Sequence, residues 1–171
     1  MKKFISVLLI ALSVVSMFGL VGCFDDNGKK SESSDKKSED IVLSKVLADI
    51  NKEFSISEDS MTSIETAEDL EMYYGIDPAD VKQFAAQVTV NTATDIAEII
   101  LVEAVDEKAA QRVFDALDKH YNGQKDNCAS YSPENFAIVE KCSVDINGNY
   151  VSLIMDANAK KMVEFYTASI K

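Results

Sequence analysis

Histidine and cysteine, the side chains best suited to acid–base and nucleophilic chemistry near neutral pH, are few in this chain. His120 is the only histidine, and Cys128 and Cys142 follow it, with a third cysteine, Cys23, far upstream. No motif ties a serine or cysteine to His120, and Asp118, two positions away on a helical pattern, points to a different face. A cation near a helix C-terminus is favoured by the macrodipole, which explains His120 without a catalytic role. Closing the loop between Cys128 and Cys142 (about 15 residues) by a disulfide would contribute roughly 3 kcal/mol on the chain-entropy account. Cys142 also lies on the inward side of an alternating pattern, where a thiol serves as a small hydrophobe. Spacing does not reveal Cα separation, so both readings stay open. Two cysteines and one distant histidine lack zinc-ligand spacing, and no metal is expected.

The carboxylates are more numerous than specific. Asp145, Asn147, Asn149 and Asp156 fall at positions 1, 3, 5 and 12 of a calcium-loop template, but Tyr150 stands where that template needs glycine. A hairpin at Asn147-Gly148 explains the same residues, because a type I′ turn needs positive φ at both central positions. The chain has 29 Asp+Glu against 17 Lys+Arg, a net charge of -12. Two of those acids could serve glycoside hydrolysis, yet nothing singles out a pair. No basic patch exists to neutralise phosphates, which excludes nucleic acid as a partner. No catalytic residue and no cofactor is assigned.

The elements that must position these residues begin at Ile41. Leu43, Val46, Leu47, Ile50 and Phe54 recur at helical spacing, with acids in the first turn. Residues 55–65 read as a loop. A short helix from Thr66 to Tyr74 is stopped by Gly75, with Ile76 placed for a Schellman-type contact, and Asp77-Pro78 starts a turn. A helical turn passes into a strand over 84–91, and 95–105 (DIAEIILVEAV) reads as a strand buried on much of both faces. Asp106 caps a helix with Ala110, Val113, Phe114, Leu117 and Tyr121 on one stripe, closed by Asn122-Gly123. Ser132-Pro133 marks a loop. Residues 137–146 alternate as a strand with Ile138, Cys142, Val144 and Ile146 on one side, and Tyr150 to Met155 returns. Asp156 caps a last helix with Ala159, Val163, Tyr166 and Ile170 inward. The expected fold class is α+β: two N-terminal helices, then two ββα units forming a four-stranded, mainly antiparallel sheet with helices on one face.

Upstream, Lys2 and Lys3 precede an apolar stretch of 17 residues, Phe4 to Leu20, which is short for a membrane span and has the layout of a secretory signal peptide. The following Leu20-Val21-Gly22-Cys23 resembles the lipobox of bacterial lipoproteins. That resemblance implies a diacylglyceryl group on the Cys23 thiol, cleavage after Gly22, and membrane lipid as a partner. Two acyl chains, at about 0.8 kcal/mol per buried methylene, hold firmly where one does not. Residues 24–40, FDDNGKKSESSDKKSED, bury too little apolar surface to order themselves, and as a flexible coil span about 22 Å. The domain organisation is then a signal peptide over 1–22, a lipidated cysteine and tether over 23–40, and one α+β domain over 41–171.

Within the domain, YYGIDPADVKQFA (73–85) and SYSPENF (130–136) carry a second resemblance. With the lipobox and tether, they resemble a family of short Firmicutes lipoproteins catalogued as domain of unknown function 4358, over roughly residues 41–171. The family has no assigned activity, so the resemblance implies no catalytic residue. Gly75 and Pro78 have a local explanation as helix stop and turn. If the motif is functional, Tyr73, Tyr74 and Asp77 form an exposed aromatic and acidic patch suited to a partner.

The expected protein is a lipid-anchored one facing outside the cytoplasm, with a non-enzymatic domain that binds an envelope protein or ligand. The runner-up is an envelope hydrolase working through acidic residues, and a third option is an accessory scaffold. A deep cleft with two facing carboxylates would favour the hydrolase, and a flat patch of Tyr73 and Tyr74 a protein partner. Replacing Cys23→Ser should leave the signal uncleaved and the chain without its diacylglyceryl mass. Fractionation and intact mass check this; a variant retained and processed like wild type would rule out the anchor.

Overall fold

The computed structural model describes residues 41–171; the expected signal peptide, Cys23 and the tether lie outside the described residues. In chain order the elements are α1 (Leu43–Glu53), β1 (Met61–Ile64), α2 (Ala67–Tyr74), β2 (Val81–Thr89) and β3 (Glu98–Ala104). They continue as α3 (Glu107–Tyr131), α4 (Pro133–Val139), β4 (Val144–Asn147), β5 (Tyr150–Met155) and α5 (Ala159–Ser169). The expected α+β class holds. The sheet, however, has five strands and not four, all antiparallel neighbours in the order β1-β2-β3-β5-β4. The extra strand is β1, inside the stretch read as a loop. Its four residues MTSI are half exposed at the sheet edge and show no sustained alternation.

Helices cover both faces, which corrects the one-faced arrangement. The reason lies in β3 and β5: all seven residues of EIILVEA are buried, as are all but the first of YVSLIM. A strand apolar on both sides needs a cover on each. The register places Ile100 and Val102 on the side of α3, and Ile99 and Leu101 on the side of α1 and α5.

Several boundaries moved for local reasons. The first turn of α1 contains no acid; the Leu43 N–H is capped instead by Gln83 Oε1 of β2, at 3.0 Å. α3 runs 25 residues, straight through the expected stop at Asn122-Gly123. A mid-helix glycine costs only about 1 kcal/mol, and Tyr121 and Cys128 are buried on either side of it. The helix ends at Ser132, before a proline that disfavours the α region for its predecessor. Pro133 then starts α4, so the strand expected from 137 begins only at Val144. Phe136 and Val139, at i and i+3, had the helical spacing that the alternation hid. The hairpin forms, but with Gly148-Asn149 as its two-residue loop, since Asn147 pairs with Tyr150. Gly148 has φ +59 and Asn149 is not in the positive region, which is the II′ pattern and not I′. At α5, Asp156 acts one step early, accepting from the Asn158 N–H at 2.6 Å. Met162 is buried there, while Val163 is only half-buried.

The segment YGIDPAD is a chain of local devices. Thr66 caps α2 by accepting from Asp69 N–H, and Gly75 (φ 72) closes it with a 2.8 Å bond to the Glu71 carbonyl. A second, longer bond runs from the Ile76 N–H to the Leu70 carbonyl at 3.5 Å, so both amides after Tyr74 return to helix carbonyls. Ile76 is fully buried, and Asp77 Oδ1 accepts from Ala79 N–H at 2.9 Å. Asp80 receives both Nε and Nη2 of Arg112, the chain's single arginine, and so ties this turn to α3. The Arg112 hydrogen bonds hold the Asp80 carboxyl below its ordinary 3.8, against the effect of burial. A carboxylate depressed in the native state stabilises above its unfolded pKa and ceases to as pH falls through the native value. Asp80→Asn should therefore flatten the acid limb of stability below about pH 4. Urea midpoints across that range check this; parallel curves for variant and wild type would count against it.

Candidate functional site

The last turn of α2 carries Tyr73 and Tyr74 side by side, about 100° apart around the helix. Tyr73 points out, 59% exposed, and Tyr74 points in, 7% exposed. Glu98 opens β3 on the same side as α2 and α3, and His120 approaches it from the middle of α3. His120 Nε2 lies 2.9 Å from Glu98 Oε2, and the Tyr74 hydroxyl donates to the same oxygen at 3.4 Å. The tyrosine and imidazole rings meet edge to face with centroids 4.7 Å apart. Glu98 is 9% exposed, so its charge needs these partners: an unpaired buried carboxylate is strongly destabilising. Burial foremost, then the Glu98 charge, pushes the Tyr74 phenol far above its ordinary 10.0.

Above this cluster lies a groove of about 420 Å³, bounded by Thr62 and Ile64 of β1, Asp69 and Tyr73 of α2, and Gln124 of α3. A second hollow of about 430 Å³ adjoins it and shares Tyr73, Tyr74, His120 and Gln124. A larger groove, about 570 Å³, lies on the opposite face of the sheet beside α1. Its wall includes Asn51 and Gln87, whose amides satisfy each other at 3.0 and 2.8 Å. Glu98 fixes the ring of His120 through Nε2, and Nδ1 has no hydrogen-bond partner among the described residues. No hydroxyl or thiol is hydrogen-bonded to His120 there either, so the pair orients a polar imidazole more than it activates a nucleophile.

The residues singled out from sequence are distributed differently. Tyr73 and Asp77 are exposed as expected, but Tyr74 leaves their patch for Glu98. His120 sits in mid-helix and not at a C-terminus. Cys128 and Cys142 are buried, unbonded thiols, both pushed up by burial; Cys142 Sγ lies 3.3 Å from the Ile138 carbonyl. SYSPENF is the junction of α3 and α4, with Tyr131 85% exposed. Asp145, Asn147 and Asn149 serve the hairpin, and among the described residues no group of three or more His, Cys, Asp or Glu could hold a metal ion. Neither discriminator between hydrolase and patch appeared as framed. The cleft's buried carboxylate is partnered by imidazole and phenol, and of the two tyrosines only Tyr73 is exposed. The Glu98–His120 contact left one signal in the sequence: His120 is three residues after Leu117 and adjoins the inward stripe of α3, while Glu98 begins an apolar run.

Fold and site define an α/β/α domain with an antiparallel five-stranded sheet and a polar, aromatic-rimmed groove near one edge. Residues 52–156 match the family described as Domain of unknown function (DUF4358), and the chain belongs to that family. No curated protein and no solved structure matches it.

Burial also pushes the Tyr166 phenol well above its ordinary value, with Tyr150 and Glu103 adding to the shift. Tyr74 and Tyr166 should therefore ionise only well above the ordinary phenol value in the folded protein. Because these native values are raised, folding loses stability as pH rises above about 10. Ultraviolet phenolate titration of wild type, Tyr74→Phe and Tyr166→Phe reads this directly. A Tyr74→Phe curve lacking an ordinary, early-titrating phenol would contradict it.

Proposed function

We propose that this protein is a lipid-anchored binding module of the cell envelope, held by acylated Cys23 and using the groove over Tyr74, Glu98 and His120 to take a ligand. The lipobox and the polar tether support the anchoring. The groove itself carries the binding reading. It has a floor in which Tyr74 and His120 both bond Glu98, an exposed aromatic rim at Tyr73, and an imidazole nitrogen without a partner among the described residues. A concave site with a few convergent polar groups is the ordinary form of a ligand site. Acids at Glu65, Asp69 and Glu98 beside the Tyr73 ring suit a cationic group, which a ring face attracts by roughly 0.5–1 kcal/mol at exposed sites.

Photocrosslinking on intact cells from position 73 or 124, followed by mass spectrometry, tests the reading. The expected result is one enriched species whose capture falls when Glu98→Gln or His120→Ala is added. Equal capture by these variants, or no enriched species, would overturn it. Turnover of an envelope glycan or peptide that disappears in Glu98→Gln would replace it with the hydrolase reading.

A further inference from the structure

We propose that the free edge of β1 accepts an extended, basic segment of a partner protein as a sixth strand, its alternate side chains entering the grooves on either face. This rests on the binding reading for one of those two grooves.

The edge is open in the required way. β1 ends the sheet, with β2 on one side only. Val90 N–H donates to the Ser60 carbonyl, so the alternation of an antiparallel ladder makes Thr62–Val88 and Ile64–Ala86 the hydrogen-bonded pairs. Ser63 then turns both its N–H and C=O away from β2, toward any incoming strand; Met61 turns its C=O the same way, while its N–H bonds the Glu58 carbonyl. Proteins guard such edges with charges, prolines or bulges, and MTSI has none of these, whereas the opposite edge strand has Asp145 at its centre.

Grooves flank this edge on both faces, which a bare edge would not require. Met61 borders the 570 Å³ groove beside α1 and Thr62 the 420 Å³ groove over His120, while Ser63 and Ile64 line both. A strand added at β1 would send successive side chains alternately into the two. Charge selects the occupant. Glu58 and Glu65 line the first groove, Glu65, Asp69 and Glu98 the second, and neither wall includes a lysine or arginine. Side chains reaching the second groove are therefore lysine or arginine, with the exposed Tyr73 ring beside them.

The test uses the full-length chain in detergent micelles and the acetylated, amidated heptapeptide Lys-Val-Lys-Thr-Lys-Val-Lys. Hydrogen exchange at the Ser63 amide should slow roughly tenfold on saturation. N-methylation of the peptide amides that face β1 should weaken binding roughly tenfold or more. Ser63→Pro should do the same, since it removes only an outward N–H. If that variant fails to fold, the N-methylated probe decides alone. Equal binding of the N-methylated and parent peptides would overturn strand addition while leaving a groove ligand standing. No binding of the parent, or equal binding when glutamate replaces lysine, would overturn the proposal. So would a Ser63 amide already protected before peptide is added: through a second copy if protection grows with protein concentration, through the chain's own residues if it does not.

Discussion

Glu98 and Glu103 stand near the two ends of a strand whose every side chain is buried, and they face opposite layers. A buried carboxylate left without partners costs several kcal/mol, so each layer must supply groups that reach it. On one face those groups are His120 of α3 and Tyr74 of α2. On the other they are Lys82 and Gln83 of β2 and the Tyr150 hydroxyl of β5. Burial alone would raise the Glu103 pKa, and the Lys82 and Gln83 bonds outweigh it, leaving the carboxyl below its ordinary value. Two charges on β3 thus set where α2, α3 and the start of β2 can sit.

The second cluster depends on an irregularity. Between Val81 and Gln83 the β2–β3 register slips, so Lys82 and Gln83 together oppose Glu103. In a regular strand those neighbours would point to opposite faces; a bulge re-aims one of them. Gln83 uses the position twice more, donating to the Ile41 carbonyl at 2.7 Å and capping the Leu43 N–H. The first described residues are thereby fastened to the middle of the sheet, and α1 is oriented across its face.

The same architecture explains why the grooves lie where they do. α3 packs over β3, β4 and β5, and α1 with α5 covers the opposite face, so the sheet is best covered at its centre. β1 lies toward the margin of that cover, with Asp69 and Tyr73 of α2 and Gln124 of α3 on one side and the outer side of α1 on the other. Glu98 is at the end of β3 that pairs with Val88 and, through β2, approaches β1. A buried charge cluster and an open sheet edge consequently meet at one side of the molecule.

Much of the fold was legible because it is local. Gly75 as a helix stop, Asp106 as a cap accepting from Ala109 N–H, the two-faced apolarity of β3 and the return of β5 all follow from side chains acting within a few residues. The misses have one physical origin, competition between a local preference and distant packing. Gly123 is tolerated inside α3 because buried contacts on both sides outweigh a small propensity cost. β1 has no pattern of its own and exists through its pairing with β2. Composition and periodicity alone determined an α+β domain with an acidic surface and a cap-and-turn motif at 74–80. Only the tertiary structure decided that Tyr74 turns inward and that His120 meets a glutamate 22 residues away in sequence, closing a groove at the free edge. Short-range signals have no access to such pairs, because the cost of burying Glu98 is set by which side chains the completed fold brings within bonding distance.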